Sequence, residues 1–80
     1  MYYVYLIKSL KYSNQMYVGI TTNFKKRLIC HNSGGSFHTA KFKPWELITF
    51  ICFKDKVKAT EFEKYLKSQS GRAFAKKRLI

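Results

Sequence analysis

The segment that most restricts what this chain can become is Trp45 to Phe53. Its nine residues are aromatic or branched at most positions, and they are bounded by Pro44 on one side and Lys54-Asp55 on the other. Such residues suit a pleated surface. A strand of this length needs partners, and two other runs qualify. Met1 to Ile7 is dense in Tyr, Val, Leu and Ile, and Met16 to Ile20 follows after a polar turn containing Ser13-Asn14. The two runs predict a hairpin with a slightly long loop. The chain is therefore expected to build a three-stranded sheet.

The intervening segments read as helices and one loop. Thr21-Thr22-Asn23 offers N-caps for a helix from Phe24 to His31, with Phe24, Leu28 and Ile29 on its inward side. Asn32 to Gly35 ends it, and Ser36 to Pro44 reads as a polar, basic loop. Asp55 to Ser68 forms a second helix, with Ala59, Phe62 and Leu66 as its apolar stripe. Ser70-Gly71 is expected to break the chain before a short basic helix from Arg72 to Leu79. The order β-β-α-β-α-α defines an α+β class with one three-stranded antiparallel sheet. At 80 residues the chain has length for one domain, spanning 1–80.

Charge narrows the function classes. Sixteen Lys and Arg face four Asp and Glu, a net charge of +12. Internal ion pairs cannot neutralise such a surface, so a polyanion is the expected partner, nucleic acid first. An anionic membrane is the competitor, but the basic residues are spread along the chain and not gathered on one amphipathic segment. No run approaches the roughly 18 apolar residues of a membrane span. The apolar start lacks a basic leader, and Cys30 and Cys52 are too few for a disulfide framework. A soluble cytoplasmic protein with free thiols is expected, its two cysteines serving as small core residues.

Several residues stand where chemistry is available. Alternation places Tyr3, Tyr5 and Ile7 on one strand face, and Tyr17 and Gly19 on one face of the next, so Tyr5 and Tyr17 can be neighbours. Arg27 and His31 lie four apart on one helix face, a phosphate-gripping fork beside a group that titrates near neutrality. Glu63 sits at the edge of the stripe Ala59, Phe62, Leu66, where a carboxylate needs a cation or a pairing lysine such as Lys67. Glu61 is rotated to the surface, and Asp55 reads as a helix cap. Cys30, His31, His38 and Cys52 do not fit zinc-knuckle spacing. Gly34-Gly35 lacks the context of a phosphate-binding loop, and there is no convincing Ser-His-Asp set.

Taken in order, these residues resemble the GIY-YIG nuclease family. The first motif stands as Tyr3-Val4-Tyr5 and the second as Tyr17-Val18-Gly19. Arg27 follows Tyr17 by ten residues and His31 follows Arg27 by four. His31-Asn32-Ser33-Gly34, Lys43-Pro44-Trp45-Glu46-Leu47 and Glu63-Lys64-Tyr65-Leu66-Lys67 look like the small stand-alone bacterial members. Two departures are visible: Tyr3 stands where the family name has Gly, and Ile20 where some members carry a lysine.

The resemblance implies metal-dependent hydrolysis of DNA phosphodiester bonds, with a place in DNA repair or recombination. By position, Tyr5 and Tyr17 would be the motif tyrosines, Arg27 the phosphate clamp, His31 a proton-handling residue and Glu63 the ligand of Mg2+ or Mn2+. Either tyrosine could take the proton. Lys41, Lys43, Lys67, Arg72, Lys76, Lys77 and Arg78 are the candidate DNA contacts. The alternative is a nucleic-acid-binding module without turnover, and a membrane-surface or ribosome-associated protein ranks third.

Overall fold

A computed structural model describes all 80 residues. Three strands, β1 (Tyr2–Ser9), β2 (Met16–Thr21) and β3 (Trp45–Phe53), form one antiparallel sheet in the order β2-β1-β3. The expected α+β architecture is present. The four helices are α1 (Phe24–Asn32), α2 (Phe37–Ala40), α3 (Lys56–Lys67) and α4 (Gln69–Arg78).

Strand alternation along central β1 sends successive side chains to opposite faces. Val4 and Leu6 meet Ala59 and Leu66 of α3 and Ala75 of α4. Tyr5 and Ile7 meet Trp45, with Leu28 of α1 and Phe42 packed around them. Both faces of β1 are thus covered, and Val4 to Ile7 are all buried. The register skips a residue of β3 between Leu6 and Ile7, a bulge.

The helix ends follow the expected capping chemistry. Asn23 accepts from the Lys26 amide, Asp55 from Val57 and Ser68 from Gly71. Tyr3 is structural: its ring meets Phe24 at 5.3 Å and Phe50 at 5.6 Å, and so ties the start of α1 to the sheet.

Four expectations need correction. The stretch from Ser36 to Pro44 contains the single helical turn α2, because Thr39 is drawn into the interior, and only 2% of it is exposed. Ser70-Gly71 does not break the chain. Both residues lie in α4, which starts directly after the Ser68 cap; Gly71 is needed because a Cβ there would fall 1.7 Å from the Tyr65 carbonyl oxygen. Ile29 is 68% exposed rather than inward, because the buried side chain of α1 is His31. Finally, Cys30 is only half-buried and Cys52 is exposed, so neither is a core residue.

Candidate active site

The site is organised by a side chain that crosses its neighbouring strand. Tyr5 pairs with Gly19 across β1 and β2. The Tyr5 ring runs over Gly19, where a Cβ would lie 2.3 Å from the hydroxyl oxygen. Only a residue without a side chain lets the phenol reach α1. Tyr17 is its diagonal neighbour on the same face, with ring centroids 6.3 Å apart.

Beyond Gly19 the Tyr5 hydroxyl meets Arg27 and His31, which share a helix face as their spacing requires. The Arg27 Nε–H donates to the Tyr5 oxygen at 3.4 Å. The Tyr5 hydroxyl is 2.9 Å from His31 Nε2. On its other side, His31 Nδ1 is 2.6 Å from Thr39 Oγ1, whose hydroxyl donates to the Ser36 carbonyl at 3.4 Å. An arginine cannot accept and a carbonyl cannot donate, so the chain has a direction. Tyr5 donates to Nε2, and Nδ1–H donates to Thr39. His31 is thereby held as its Nδ1–H tautomer.

Electrostatics agree with that direction. Burial of its phenol pushes the Tyr5 pKa above 10.0, against the lowering effect of the Arg27 hydrogen bond. Burial, then the Arg27 charge, lowers His31 below 6.5. Near pH 7 both groups are neutral, as the hydrogen-bond pattern requires. Arg27 is raised further, first by its bond to Tyr5, and remains a permanent cation. Its terminal nitrogens make no hydrogen bond in the protein, which leaves the fork available to a phosphate.

The carboxylate comes from α3, which packs on β1 and β2. Its charge contributes to the raised pKa of Tyr5. The Glu63 side chain is 15% exposed and pairs with Lys67 Nζ at 2.9 Å, and that ammonium also lies 5.8 Å from the Tyr17 ring centre. Glu63 is therefore both a stripe-boundary residue paired with lysine and the acid beside the tyrosines. No cluster of three His, Cys, Asp or Glu side chains surrounds it. A hard oxygen donor that already holds a cation suits Mg2+, which keeps most of its waters and takes only one or two carboxylates. The donor set fits such an ion at Glu63.

The candidate DNA contacts separate into groups. Lys67, Arg72 and Lys76 line a cleft of about 680 Å3 that also includes Tyr17. Lys77 and Arg78 lie on the same helix outside that cleft, and Lys41 and Lys43 follow α2 on the His31 side of the sheet. All seven are exposed.

Sequence reasoning missed Thr39, since a threonine in a basic loop carries no pattern. It also gave Asn32 only a helix-ending role. The Asn32 amide in fact bonds the backbone of Trp45 on both sides, donating to its carbonyl at 3.1 Å and accepting from its amide. Trp45 in turn donates from its indole to the Thr39 carbonyl at 2.9 Å. The second-motif glycine was the one available signal for the Tyr5 crossing.

The fold is thus a single-sheet α+β domain in which an Arg-Tyr-His network on one helix side stands beside a carboxylate supplied by α3. Residues 1–78 match the GIY-YIG catalytic domain, and the chain belongs to that family. A UPF0213 protein of Clostridium perfringens is 38% identical, covering 84% of this chain and 71% of the relative. The solution structure of a UPF0213 protein from Bacillus halodurans superposes with a TM-score of 0.57 at 29% identity, over 95% of this chain and 81% of that one. The structure-specific endonuclease subunit SLX1 of Debaryomyces hansenii is 39% identical over 78% of this chain. This chain spans about a fifth of that relative, 20% of its length.

Proposed function

We propose that this domain is a metal-dependent endonuclease that hydrolyses DNA phosphodiester bonds. The observation that carries the reading is the directional chain Arg27–Tyr5–His31–Thr39 beside Glu63. A solvated basic face would not hold a fully buried histidine in one tautomer between two hydroxyls. Family membership and the charge of +12 support the same reading. The SLX1 relatives are named as subunits of a structure-specific endonuclease, which supports a substrate chosen by its structure; a role in repair or recombination is part of the same proposal.

The residues present can share the chemistry as follows. Arg27 is anchored through Nε and offers its terminal nitrogens to the scissile phosphate, where they stabilise charge developing in the transition state. Tyr5 is too weak an acid to serve as a preformed phenolate. Its donated hydrogen bond to His31 solves this problem: the phenol oxygen takes a proton from the attacking water while its own proton passes to Nε2. The charge then rests on His31, whose Nδ1–H stays bonded to Thr39. A phosphate nearby offsets the burial that lowers the His31 pKa. Tyr17 packs against the imidazole, with centroids 5.1 Å apart, and limits its rotation. A divalent ion held by Glu63 would neutralise charge on the phosphate and lower the pKa of bound water.

The test is cleavage of supercoiled, linear and branched DNA with and without Mg2+ or Mn2+, beside Glu63→Ala. Metal-dependent cleavage lost in the variant is expected. Tight, salt-sensitive binding without cleavage on any substrate would instead make the domain a binding module.

A further inference from the structure

The cleft beside Tyr17 has a composition that the proposed hydrolysis does not use. It lies between the far end of the β1–β2 hairpin and the two C-terminal helices, with a volume of about 680 Å3. Leu6, Val18 and Leu66 give it an apolar floor. Lys67, Arg72 and Lys76 supply cations along the α3 and α4 side, and Asn14, Gln15 and Met16 form the hairpin side. Arg72 and Lys76 are four apart on α4 and so face the same way.

A basic rim over an apolar floor is a poor match for duplex DNA, whose exterior offers phosphate and sugar while its bases stay stacked inside. It matches a single strand, which presents phosphates on one side and unstacked bases on the other. The volume lies within the 300–1,000 Å3 range of small-ligand pockets, room for a short run of nucleotides but not for a duplex. The cleft lies on the α3 and α4 face of the sheet and adjoins the candidate site around the edge strand β2, where its lining residue Lys67 pairs with Glu63 and lies 5.8 Å from the Tyr17 ring centre. We propose that this cleft binds a single-stranded segment of DNA that flanks the scissile bond, with Arg72 and Lys76 on its phosphates. The proposal rests on the nuclease reading for its substrate, but its first measurement is binding, which needs no turnover.

The helix itself supplies a matched control. Lys77 and Arg78 are adjacent to the cleft residues in sequence, carry the same two charges and lie outside the cleft. Affinity for fluorescein-labelled oligo-dT and for a duplex of the same length is measured by anisotropy without divalent metal, where no turnover can occur. Arg72→Ala with Lys76→Ala should weaken oligo-dT binding by about tenfold or more and flatten its salt slope by about 1.4, two single-strand phosphate contacts. Duplex binding should fall less. Lys77→Ala with Arg78→Ala removes the same charge outside the cleft and should weaken oligo-dT binding by less than the cleft pair does. Met16→Glu, on the opposite wall, should selectively weaken oligo-dT binding and guards against a folding defect in the α4 variants.

Equal losses from the two charge pairs, or equal losses for the two ligands, would overturn the assignment. Cleavage failing while this discrimination holds would sink the nuclease reading and leave the cleft in place. Cleavage of branched DNA that is indifferent to Arg72 and Lys76 would overturn the cleft alone.

Discussion

His31 Nδ1 lies 2.6 Å from the hydroxyl of Thr39, and both side chains are withdrawn from solvent. This contact fixes which imidazole nitrogen is free to accept from Tyr5. In the proposed mechanism Thr39 is a positioning residue, since it reaches Tyr5 only through the histidine. Thr39→Val keeps the shape but leaves a buried N–H without a partner, at about 1–3 kcal/mol. The variant should shift His31 toward the other tautomer, visible in the 15N chemical shifts of the ring. Cleavage should fall by at least about tenfold, as expected when one proton-handling group is misaligned. Thr39→Ser should restore both. Unchanged ring shifts in the valine variant would refute the positioning role.

Gly19→Ala tests the crossing of Tyr5. The added methyl would overlap the phenol end of that ring, so the hydroxyl must leave Arg27 and His31. A displacement on the order of 1 Å costs about 100-fold in rate. The sheet register should survive, because the clash is with a side chain and not with backbone. The check is kcat on a nicking substrate, with amide chemical shifts reporting that β1 and β2 still pair. Near-normal kcat would show that the Tyr5 hydroxyl is not needed in this position.

Much of this architecture was legible in the residues, for identifiable reasons. β3 was bounded correctly because aromatic and branched residues run without interruption between Pro44 and Lys54. α3 was nearly complete because Asp55 caps it and its apolar stripe repeats at helical spacing. What escaped depended on contacts distant in sequence. Thr39 is buried only because His31 and Trp45 reach it from elsewhere. Gly71 looked like a helix breaker because its function is to let two helices touch, which no local propensity encodes. The histidine was found through spacing, but its depth was hidden: α1 buries its polar His31 and exposes its apolar Ile29, the reverse of the usual amphipathic pattern.

That reversal has a pH signature. His31 is held below its ordinary 6.5, so as pH falls below that value the unfolded chain takes up a proton that the folded chain refuses, and stability declines. Tyr5 is held above its ordinary 10.0, so above that pH the unfolded chain loses a proton that the folded chain keeps, and stability declines again. Between the two values neither group contributes a slope. Thermal midpoints measured from pH 4 to 11 should show both limbs. His31→Gln should flatten the acid limb, and Tyr5→Phe the alkaline one. Limbs unaffected by these substitutions would have to come from other groups.

Gly71→Ala addresses the helix pair directly. The methyl would overlap the Tyr65 carbonyl, and backbone cannot rotate away as a side chain does. Overpacking of this kind costs about 3 kcal/mol or more. Urea denaturation should show a lower midpoint at an unchanged m-value. Loss of less than about 1 kcal/mol would mean that α4 can lift from α3 at little cost.

If Glu63 holds a divalent ion as proposed, Lys67 competes with that ion for the same carboxylate. The Lys67 ammonium sits 2.9 Å from Glu63, and its side chain is 48% exposed, so the pair is screened and worth at most about 1 kcal/mol. Removing the lysine charge relieves the metal of displacing it. Lys67→Met should therefore tighten Mn2+ binding by up to about fivefold, read as loss of the free-ion signal in electron paramagnetic resonance. Glu63→Ala should abolish that binding, and a Lys67→Met, Glu63→Ala double variant should bind no better than the single Glu63 variant. The same Lys67→Met protein should bind oligo-dT more weakly, since it has lost one cation of the cleft rim. Opposite signs for the two ligands distinguish competition at Glu63 from a general change in surface charge: if the metal and the oligonucleotide both bound more weakly, Lys67 would be supporting the carboxylate rather than occupying it.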